Sequence, residues 1–427
     1  MNFFVKYIAF INSKKLFSDK NYFKSNIIQF HVKAHTVKQM DKINSSINTA
    51  SQSMIYRPEF FRKTNISGDN ELKGLITNNP DITIYDTIYS QLAELIKLNN
   101  PQKRLTKEET AELIALHVDG DLENYGVWVY FSWSKKLVHI LDEDEFIKVR
   151  TNRNIYKVNP EDIDTLKTKK IGIIGLSVGQ SIALTLSMER TCGELRLADF
   201  DEIELSNMNR IRVNIQDLGL NKSIVAARQI AELDPFINVV CFTDGITNEN
   251  IDLFFTGGGK LDILVEECDG IDIKVLSRIK AKELGIPVVM DTNDRGMLDV
   301  ERFDLEPNRD IFHGTVTDLE QLKPEELKIK LNGLTIPEKV EYLYKIVGFE
   351  NLTETMKKSF SEMNKSIVGW PQLASAVTLG GAMVTDVSRK ILLNQFTESG
   401  RYFVDFDELF THKFNRITNP TGENATH

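Results

Sequence analysis

The chain has 427 residues, of which 41% are hydrophobic and 26% charged, the balance of a globular protein. Its net charge of −9 argues against general nucleic-acid binding, and its three widely spaced cysteines exclude a disulfide framework and a cysteine-built zinc site. No apolar run reaches the roughly 18 residues that span a membrane. Together with the cysteine pattern, this predicts a cytoplasmic protein that binds no zinc. The length predicts two or three structural units.

The first 75 residues predict a basic extension followed by a polar linker. Residues 1–40 carry seven lysines and one aspartate, a local charge of +6, and they show no steady hydrophobic period. Residues 41–75 are polar, with Ser, Asn and Gly. We interpret residues 1–75 as a mobile extension; a docking arm for an acidic partner is the alternative interpretation.

Residues 76–150 predict a small α+β unit. The pattern over 83–98 is helical, and residues 106–116 begin with a threonine cap and glutamates that are typical of a helix start. Two β-rich runs, 126–133 and 136–141, are separated by two residues, which predicts a hairpin.

After residue 165, short apolar runs alternate with helical patterns. The runs KIGIIG, ELRLADF, NVVCFT, LDILVEE and IPVVMDT predict buried strands, and helical segments connect them. This alternation predicts a doubly wound, Rossmann-like, mostly parallel sheet with helices on both faces, which we assign to residues 151–427. Ligands of such sheets bind at the carboxyl ends of the strands.

Polar side chains follow several of these strands at the point where each one ends. Because the carboxyl ends of parallel strands share one edge of a sheet, we expect seven residues to gather there: Asp199, Asp201, Asn207, Arg210, Asp269, Asp294 and Arg295. Crowded charges are costly without a ligand or pairing. An anionic ligand with a metal ion would balance them, since arginine binds phosphate oxygens and carboxylates bind a metal or ribose hydroxyls.

The loop after the first of these strands, Gly175-Leu-Ser177-Val-Gly179, fits two functions. It matches the G-x-S-x-G elbow of hydrolases, but that site needs a later histidine, and only His313 is a plausible base. It also fits a dinucleotide-binding loop, because Asp199 lies 24 residues after Gly175, where an acid holds ribose hydroxyls. An NAD-dependent oxidoreductase is therefore an open alternative, although it gives no role to the polar residues beyond Asp199.

The segment DFDEIELSNMNR, followed by DLGLNK, resembles the signature of the ThiF/MoeB/HesA-type adenylyltransferases, which are relatives of ubiquitin-activating enzymes. The pattern of that family is D-x-D-x-V-x-x-S-N-L-x-R followed by G-x-x-K. This chain matches it at seven positions: Asp199, Asp201, Ser206, Asn207, Arg210, Gly219 and Lys222. Agreement at so many spaced polar positions makes the resemblance specific.

The resemblance extends to both sides of this signature. RTNRN (150–154) is similar to the family's R-Y-x-R-Q, and ECDG (267–270) resembles D-x-T-D-N. Residues 369–393 resemble the late helix of the family, and a helical insertion is predicted at about 317–365. The stretch DTNDRGMLDVERFDLEP is also similar to a subgroup that sometimes carries a nitroreductase-like domain.

What the resemblance implies is ATP- and magnesium-dependent adenylation of a carboxylate, with release of pyrophosphate. In the family, the acceptor is usually the C-terminal glycine of a ubiquitin-like protein or sulfur carrier. Gly175, Ser177 and Gly179 would form the phosphate loop, in which Ser177 takes the place of a glycine.

The resemblance also implies a role for each of the polar residues. Asp199 and Asp201 would bind the nucleotide, Arg210 and Lys222 would hold phosphate oxygens, Asn207 would donate to a phosphate oxygen, Asp269 would hold magnesium, and Arg153 would reach the partner protomer's site. The last role implies a homodimer.

Two departures from the family pattern affect the expected mechanism. The loop GLSVGQ has one glycine fewer than the usual GxGGxG. No cysteine follows Cys268, so we predict adenylation without a thioester on this chain, or transfer to a partner's thiol. A non-catalytic nucleotide-binding partner of an activating complex is the alternative from another class of function.

Overall fold

The computed structural model describes residues 54–63, 66–363 and 365–411. The predicted basic extension of residues 1–40 lies outside this part of the chain. The described residues form a small four-stranded sheet and a larger seven-stranded sheet, each covered by helices.

The small sheet has the strand order β1-β3-β4-β2. Its strands are β1 (Glu59–Phe61), β2 (Thr83–Asp86), β3 (Val127–Phe131) and β4 (Lys136–Ile140). Strands β3 and β4 form the predicted antiparallel hairpin, whereas β2 pairs with β4 in parallel. Four helices belong to this region: α1 (Ile66–Asn78), α2 (Ile88–Asn99), α3 (Lys107–Val118) and α4 (Glu143–Thr151).

Two local expectations for this region differ from the structure. Residues 59–61 and 66–75, which we predicted as polar linker, form strand β1 and most of helix α1. The helical pattern predicted from residue 83 begins with strand β2, because Thr83–Asp86 pair with β4, and the helix starts only at Ile88. Both strands are short and mostly exposed, so they carry little hydrophobic pattern.

The seven-stranded sheet has the order β11-β10-β9-β8-β5-β6-β7 and confirms the predicted doubly wound architecture. Its parallel strands are β5 (Lys170–Ile174), β6 (Glu194–Ala198), β7 (Asn238–Phe242), β8 (Ile263–Glu266) and β9 (Val288–Asp291). Two antiparallel strands, β10 (Met297–Glu301) and β11 (Gly400–Phe403), complete one edge. The helices that precede or connect the parallel strands are α5 (Pro160–Leu166), α6 (Gly179–Glu189), α7 (Lys222–Leu233), α8 (Ile251–Thr256) and α9 (Ile271–Glu283).

Between β10 and β11 the chain is largely helical, as the predicted insertion requires. Its helices are α10 (Thr317–Glu320), α11 (Pro324–Gly333), α12 (Ile336–Val347), α13 (Glu354–Glu362) and α14 (Ala374–Leu392), and α15 (Phe406–Thr411) follows β11. Helix α14 packs closely on α6, where Gly381 lies against Ser181. No helix in the described part of the chain is long and apolar enough to cross a membrane.

The strand order places the loops of interest side by side. Strand β5 lies between β8 and β6, so the loops that follow β5, β6 and β8 leave the same edge of the sheet as neighbours. Two apolar clusters hold this sheet between its helices, one on each face. A rigid, buried scaffold therefore supports an edge made of loops.

Candidate nucleotide site

A cleft of about 840 Å³ opens at the carboxyl ends of β5, β6 and β8. Its volume lies in the range of small-molecule and cofactor sites, roughly 300–1,000 Å³. Seven of the residues predicted for nucleotide binding line it: Gly175, Ser177, Asp199, Asp201, Asn207, Arg210 and Lys222. The predicted magnesium residue, Asp269, lines the same cleft.

The loop after β5 begins at a position that only glycine tolerates. Gly175 has φ +87°, and a Cβ at this position would lie 2.6 Å from the backbone carbonyl oxygen of Glu267. Ser177 follows in the cleft, where its Oγ accepts a hydrogen bond from Arg210 Nε at 3.1 Å. Because the neighbour of this hydroxyl is a guanidinium, the hydrolase interpretation finds no base beside Ser177.

Gly179 occupies a different place from the other two loop residues. It is the first residue of helix α6, and a Cβ there would lie 2.7 Å from Ile173 Cγ2. It is buried behind the loop and is not among the residues that line the cleft. Its small size lets the helix approach the strand; a direct contact with nucleotide stays a prediction.

Asp199 directly follows β6, and its carboxylate connects two loops by hydrogen bonds. One carboxylate oxygen accepts the backbone N–H of Leu176 at 2.6 Å, and the other accepts that of Asp201 at 2.8 Å. Burial raises the pKa of Asp199, although the charge of Lys222 opposes the rise. Each oxygen keeps a lone pair, so the carboxylate can also accept a ribose hydroxyl.

Lys222 begins helix α7 and points into the cleft. Its Nζ lies 2.8 Å from Asp201 Oδ2, and its backbone N–H donates to the carbonyl oxygen of Asp201. The lysine side chain is 8% exposed, whereas that of Asp201 is 52% exposed. A nearly buried cation with a solvated partner can exchange that partner for a phosphate oxygen.

Asn207 and Arg210 come from the 3-10 turn Leu205–Asn209 and the residue that follows it. Asn207 Oδ1 accepts the backbone N–H of Glu204 at 3.0 Å, so its amide nitrogen is the atom that can donate to a ligand. Arg210 also donates from Nη1 to Asn209 Oδ1 at 2.9 Å. Burial lowers the pKa of Arg210, and the charge of Asp269 opposes this.

Asp269 lies just beyond β8, between the loop residues and helix α9. It reaches solvent at the rim of the cleft, yet the packed atoms around it raise its pKa by desolvation. The charge of Lys274 opposes that rise most, with smaller contributions from Lys222 and Arg210. The carboxylate therefore faces several cations without a direct ion pair to any of them within the described residues.

The sequence model of the ThiF family matches residues 150–420 of this chain. The chain belongs to the ThiF family. The matched region contains the whole cleft, from the loop after β5 to the start of α9.

Two relatives with similar sequences illustrate how much of this ThiF chain other proteins share. It is 41% identical over 330 residues to a protein of Mycobacterium tuberculosis (strain CDC 1551 / Oshkosh) named "Uncharacterized protein MT1398". The aligned residues make up 77% of this chain and 43% of that protein. It is 24% identical over 155 residues to the tRNA threonylcarbamoyladenosine dehydratase of Bacillus subtilis (strain 168). Here the aligned residues make up 36% of this chain and 60% of that protein. The chain thus spans less than two-thirds of either relative.

A solved structure of the E. coli tRNA N6-threonylcarbamoyladenosine dehydratase in complex with ATP is also similar. It matches with a TM-score of 0.41 and 16% identity, over 59% of this chain and 97% of that chain.

Arg153 lies apart from the residues discussed so far. It belongs to the exposed 3-10 turn Asn152–Asn154 and does not line the cleft of its own chain. Its neighbour in the predicted motif, Arg150, donates to the Ser187 carbonyl oxygen at 2.8 Å and pairs with Asp234. A role for Arg153 in a partner protomer's site stays a prediction.

Asp294 and Arg295 reach the expected edge of the sheet but lie outside the nucleotide cleft. Asp294 accepts the Thr353 hydroxyl and backbone N–H, each at 2.8 Å. Arg295 pairs with Asp405 at 2.7 Å and with Glu408. They tie the loop after β9 to the helical insertion and to the C-terminal helix α15.

Sequence reasoning missed several residues of the cleft. Phe200, Glu267 and Asp272 line it, and Phe200 is 72% exposed. Phe200 stands inside the quoted D-F-D motif, so an apolar residue between two signature acids was the available signal. Glu267 directly follows strand β8, so the same reasoning from strand ends applies to it.

Proposed function

We propose that this chain adenylates a carboxylate with ATP and magnesium and releases pyrophosphate. The observation that carries the proposal is the cleft at the carboxyl edge of the sheet, where Arg210, Lys222 and Asn207 face Asp199 and Asp269. Cationic and amide donors suit the phosphates, and Asp199 suits a ribose hydroxyl. Membership of the ThiF family supports the same chemistry.

The reaction joins the acceptor carboxylate to the α-phosphorus of ATP. A carboxylate oxygen forms the new P–O bond as the bond to the bridging oxygen of the β-phosphate breaks, and that bridging oxygen leaves with pyrophosphate. Negative charge spreads over the phosphate oxygens in the transition state, so alignment and charge stabilisation are the main contributions of the protein. Arg210 and Lys222 would supply the positive charge, and the Asn207 amide nitrogen would supply a hydrogen bond.

Asp269 would hold magnesium. Magnesium is commonly bound by one or two carboxylates together with substrate phosphates and water. No group of three or more potential ligands occurs among the residues that the structure describes. A single carboxylate with a raised pKa at the rim of a phosphate site fits that pattern, because a bound cation would offset its desolvation.

Further features of the proposal come from the family resemblance. The acceptor would be the C-terminal carboxylate of a protein or peptide, such as a ubiquitin-like or sulfur-carrier protein. The working unit would be a cytoplasmic homodimer with Arg153 supplied to the partner's site. The domain boundaries at 75 and 150, and the link to a nitroreductase-fused subgroup, stay predictions.

The first test measures Mg-ATP binding by calorimetry, and exchange of labelled pyrophosphate into ATP with a library of short peptides that have free C-terminal carboxylates. We expect Arg210→Ala and Lys222→Ala each to lower the exchange rate roughly 10²–10³-fold, because each removes a donor to developing charge. The matched controls are Arg212→Ala, an exposed arginine two residues away, and Lys260→Ala near the opposite edge of the sheet. Both should keep the wild-type rate.

Three outcomes would contradict the proposal. Absence of adenine-nucleotide binding would remove its basis. Binding of ATP without any exchange across the library would favour a non-catalytic nucleotide-binding module. A melting temperature raised by NAD and not by ATP would favour an oxidoreductase.

A further inference from the structure

Arg210 enters the nucleotide cleft from the residue that follows the 3-10 turn Leu205–Asn209. Its guanidinium has five N–H donors in a planar fork, one on Nε and two on each terminal nitrogen. The donors that the protein already uses decide which ones remain for a phosphate. Described residues accept hydrogen bonds from two of the three nitrogens, Nε and Nη1.

The nitrogen Nε is held by the loop after β5. It donates to Ser177 Oγ at 3.1 Å, and both side chains are half-buried in the wall of the cleft. Ser177 and Arg210 belong to loops that follow different strands, so this hydrogen bond fixes the guanidinium relative to the loop after β5. A glycine at position 177 would offer no side-chain acceptor, so the serine supplies a contact that a glycine cannot.

The nitrogen Nη1 is held by the turn that precedes Arg210. It donates to Asn209 Oδ1 at 2.9 Å and to the Ser206 carbonyl oxygen at 3.3 Å. The Asn209 amide is itself oriented, because its Nδ2 donates to the Gln372 carbonyl oxygen at 2.8 Å. With the amide nitrogen engaged there, the amide oxygen faces the guanidinium. Asn209 does not line the cleft, so its contact with the cleft runs through Arg210.

The nitrogen Nη2 is the one that remains. It donates to no residue in the part of the chain that the structure describes, so both of its N–H groups can donate to a ligand. Because the guanidinium is planar, holding Nε and Nη1 also fixes the direction of Nη2. An unrestrained arginine side chain loses much rotamer freedom when it binds a phosphate, whereas a guanidinium held beforehand loses little.

We infer that Ser177 and Asn209 are positioning residues, which hold Arg210 so that the two N–H groups of Nη2 face the phosphates of bound ATP. The inference rests on the proposed adenylation and deepens it, because it assigns the residues that orient one of the proposed phosphate-binding groups. Both residues act through the guanidinium, so their effect on nucleotide binding should disappear when Arg210 is absent.

The test measures nucleotide binding and therefore does not depend on the acceptor. Magnesium α,β-methylene ATP is titrated into the full chain, and dissociation constants are measured by calorimetry or, for weak complexes, by ligand-observed NMR. We expect Ser177→Ala and Asn209→Ala each to weaken binding roughly fivefold to tenfold, because each removes a hydrogen bond that orients the guanidinium. Ser177→Thr keeps the hydroxyl and should bind the analogue within about threefold of wild type.

The distinguishing measurement repeats both alanine substitutions in an Arg210→Ala background. Arg210→Ala alone should weaken binding roughly tenfold to a hundredfold, because it removes a charged donor to phosphate. Adding Ser177→Ala or Asn209→Ala should then change the dissociation constant by less than about twofold, because the group that they position is gone. A merely structural role in the two loops would instead weaken binding by the same factor in both backgrounds.

Matched controls remove the same chemical groups at other places. Thr378→Val removes an exposed hydroxyl that accepts a hydrogen bond from Arg212 Nη2 at 3.5 Å. Asn238→Ala removes an amide that donates to Glu194 at 2.9 Å at the start of β7. Neither Thr378 nor Asn238 lines the cleft, so both variants should bind the analogue as tightly as wild type.

The outcomes separate this inference from the proposed function. Wild-type affinity in both Ser177→Ala and Asn209→Ala, or equal losses with and without Arg210, would overturn the positioning role and leave adenylation standing. A Ser177→Thr variant as weak as Ser177→Ala would overturn the role of the hydroxyl. Failure of the wild-type chain to bind the analogue would overturn the proposed function and this inference together.

Discussion

Two groups of charged residues meet at the end of strand β8, and the consecutive residues Glu266 and Glu267 belong to different groups. Glu266 faces helix α9 and belongs to the buried ion-pair cluster of Glu266, Lys274, Arg278 and Glu301. Glu267 lines a cavity of about 100 Å³ beside the nucleotide cleft, and its Oε1 accepts the Asp291 backbone N–H at 2.9 Å. Both glutamates are buried, at 0% and 8% exposure, so burial alone cannot distinguish them.

Their pKa values move in opposite directions. Burial would raise the pKa of Glu266, but the charges of Lys274 and Arg278 outweigh it and lower the pKa to about 2. Burial also raises the pKa of Glu267, and the charge of Asp291 raises it further. The comparison teaches that paired cations hold one buried glutamate at this edge of the sheet in its ionised form, whereas burial and a second carboxylate hold its neighbour toward the protonated form.

The largest effect on the free energy of unfolding is expected from breaking the buried ion-pair cluster. Arg278→Met leaves Glu266 and Glu301 buried without their shared partner, so we expect a loss of about 3–5 kcal/mol in the free energy of unfolding. Urea denaturation at pH 7 measures it. Lys280→Met, two residues along the same helix, removes only surface pairs with Asp252 and Glu283 and should change the same free energy by less than about 1 kcal/mol. Equal losses in both variants would refute the role given to the cluster.

A smaller effect is expected from Glu266→Gln, because the amide oxygen still accepts one hydrogen bond. We expect a loss of about 2–3 kcal/mol at pH 7. Since the folded pKa of Glu266 lies below its unfolded value, its contribution is complete above about 4.5 and disappears as the pH falls toward 2. The difference between wild type and variant should therefore shrink in urea denaturations from pH 6 to pH 3. A constant difference over that range would contradict the lowered pKa.

The smallest effect is expected from Glu267→Gln, and it should have the opposite pH dependence. The folded pKa of Glu267 lies above its unfolded value, so ionisation destabilises the folded state as the pH rises past about 4.5. Glutamine still accepts the Asp291 N–H, so at pH 4.5 the two proteins should unfold within about 1 kcal/mol of each other. At pH 8 the variant should be the more stable of the two by urea denaturation. If the variant were less stable at every pH, the raised pKa of Glu267 would be refuted.

The sequence was sufficient to predict the architecture around the cleft. Five apolar runs became the five parallel strands, because a strand buried on both faces leaves a continuous hydrophobic pattern. Asp199, Arg210 and Lys222 were found for a different reason: they follow strand ends at spacings that a known family shares. Strands β1 and β2 were missed because they are short and exposed, and β10 because its charged residues, Asp299 and Glu301, interrupt the pattern.

The buried ion-pair cluster was beyond sequence reasoning. Lys274 and Arg278 stand in a helix rich in charges, where a basic residue normally faces solvent. Their burial follows from the packing of that helix against β10 and the 3-10 turn Ile311–Gly314, which brings Glu301 within 2.8 Å of Arg278. Asp291 packs against Gly380 of helix α14, and these two residues are far apart in the chain. No local spacing encodes such contacts.

The two hydrogen bonds between Asp294 and Thr353 fasten the start of helix α13 to the loop that carries Asn293. The same helix contributes Met356 and Phe360 to the wall of the cavity of about 100 Å³. Widening this cavity would require both hydrogen bonds to break, together with the packing of Phe360 on Trp370. The size of the cavity is therefore set by a contact between the loop after β9 and the helical insertion, outside the nucleotide cleft.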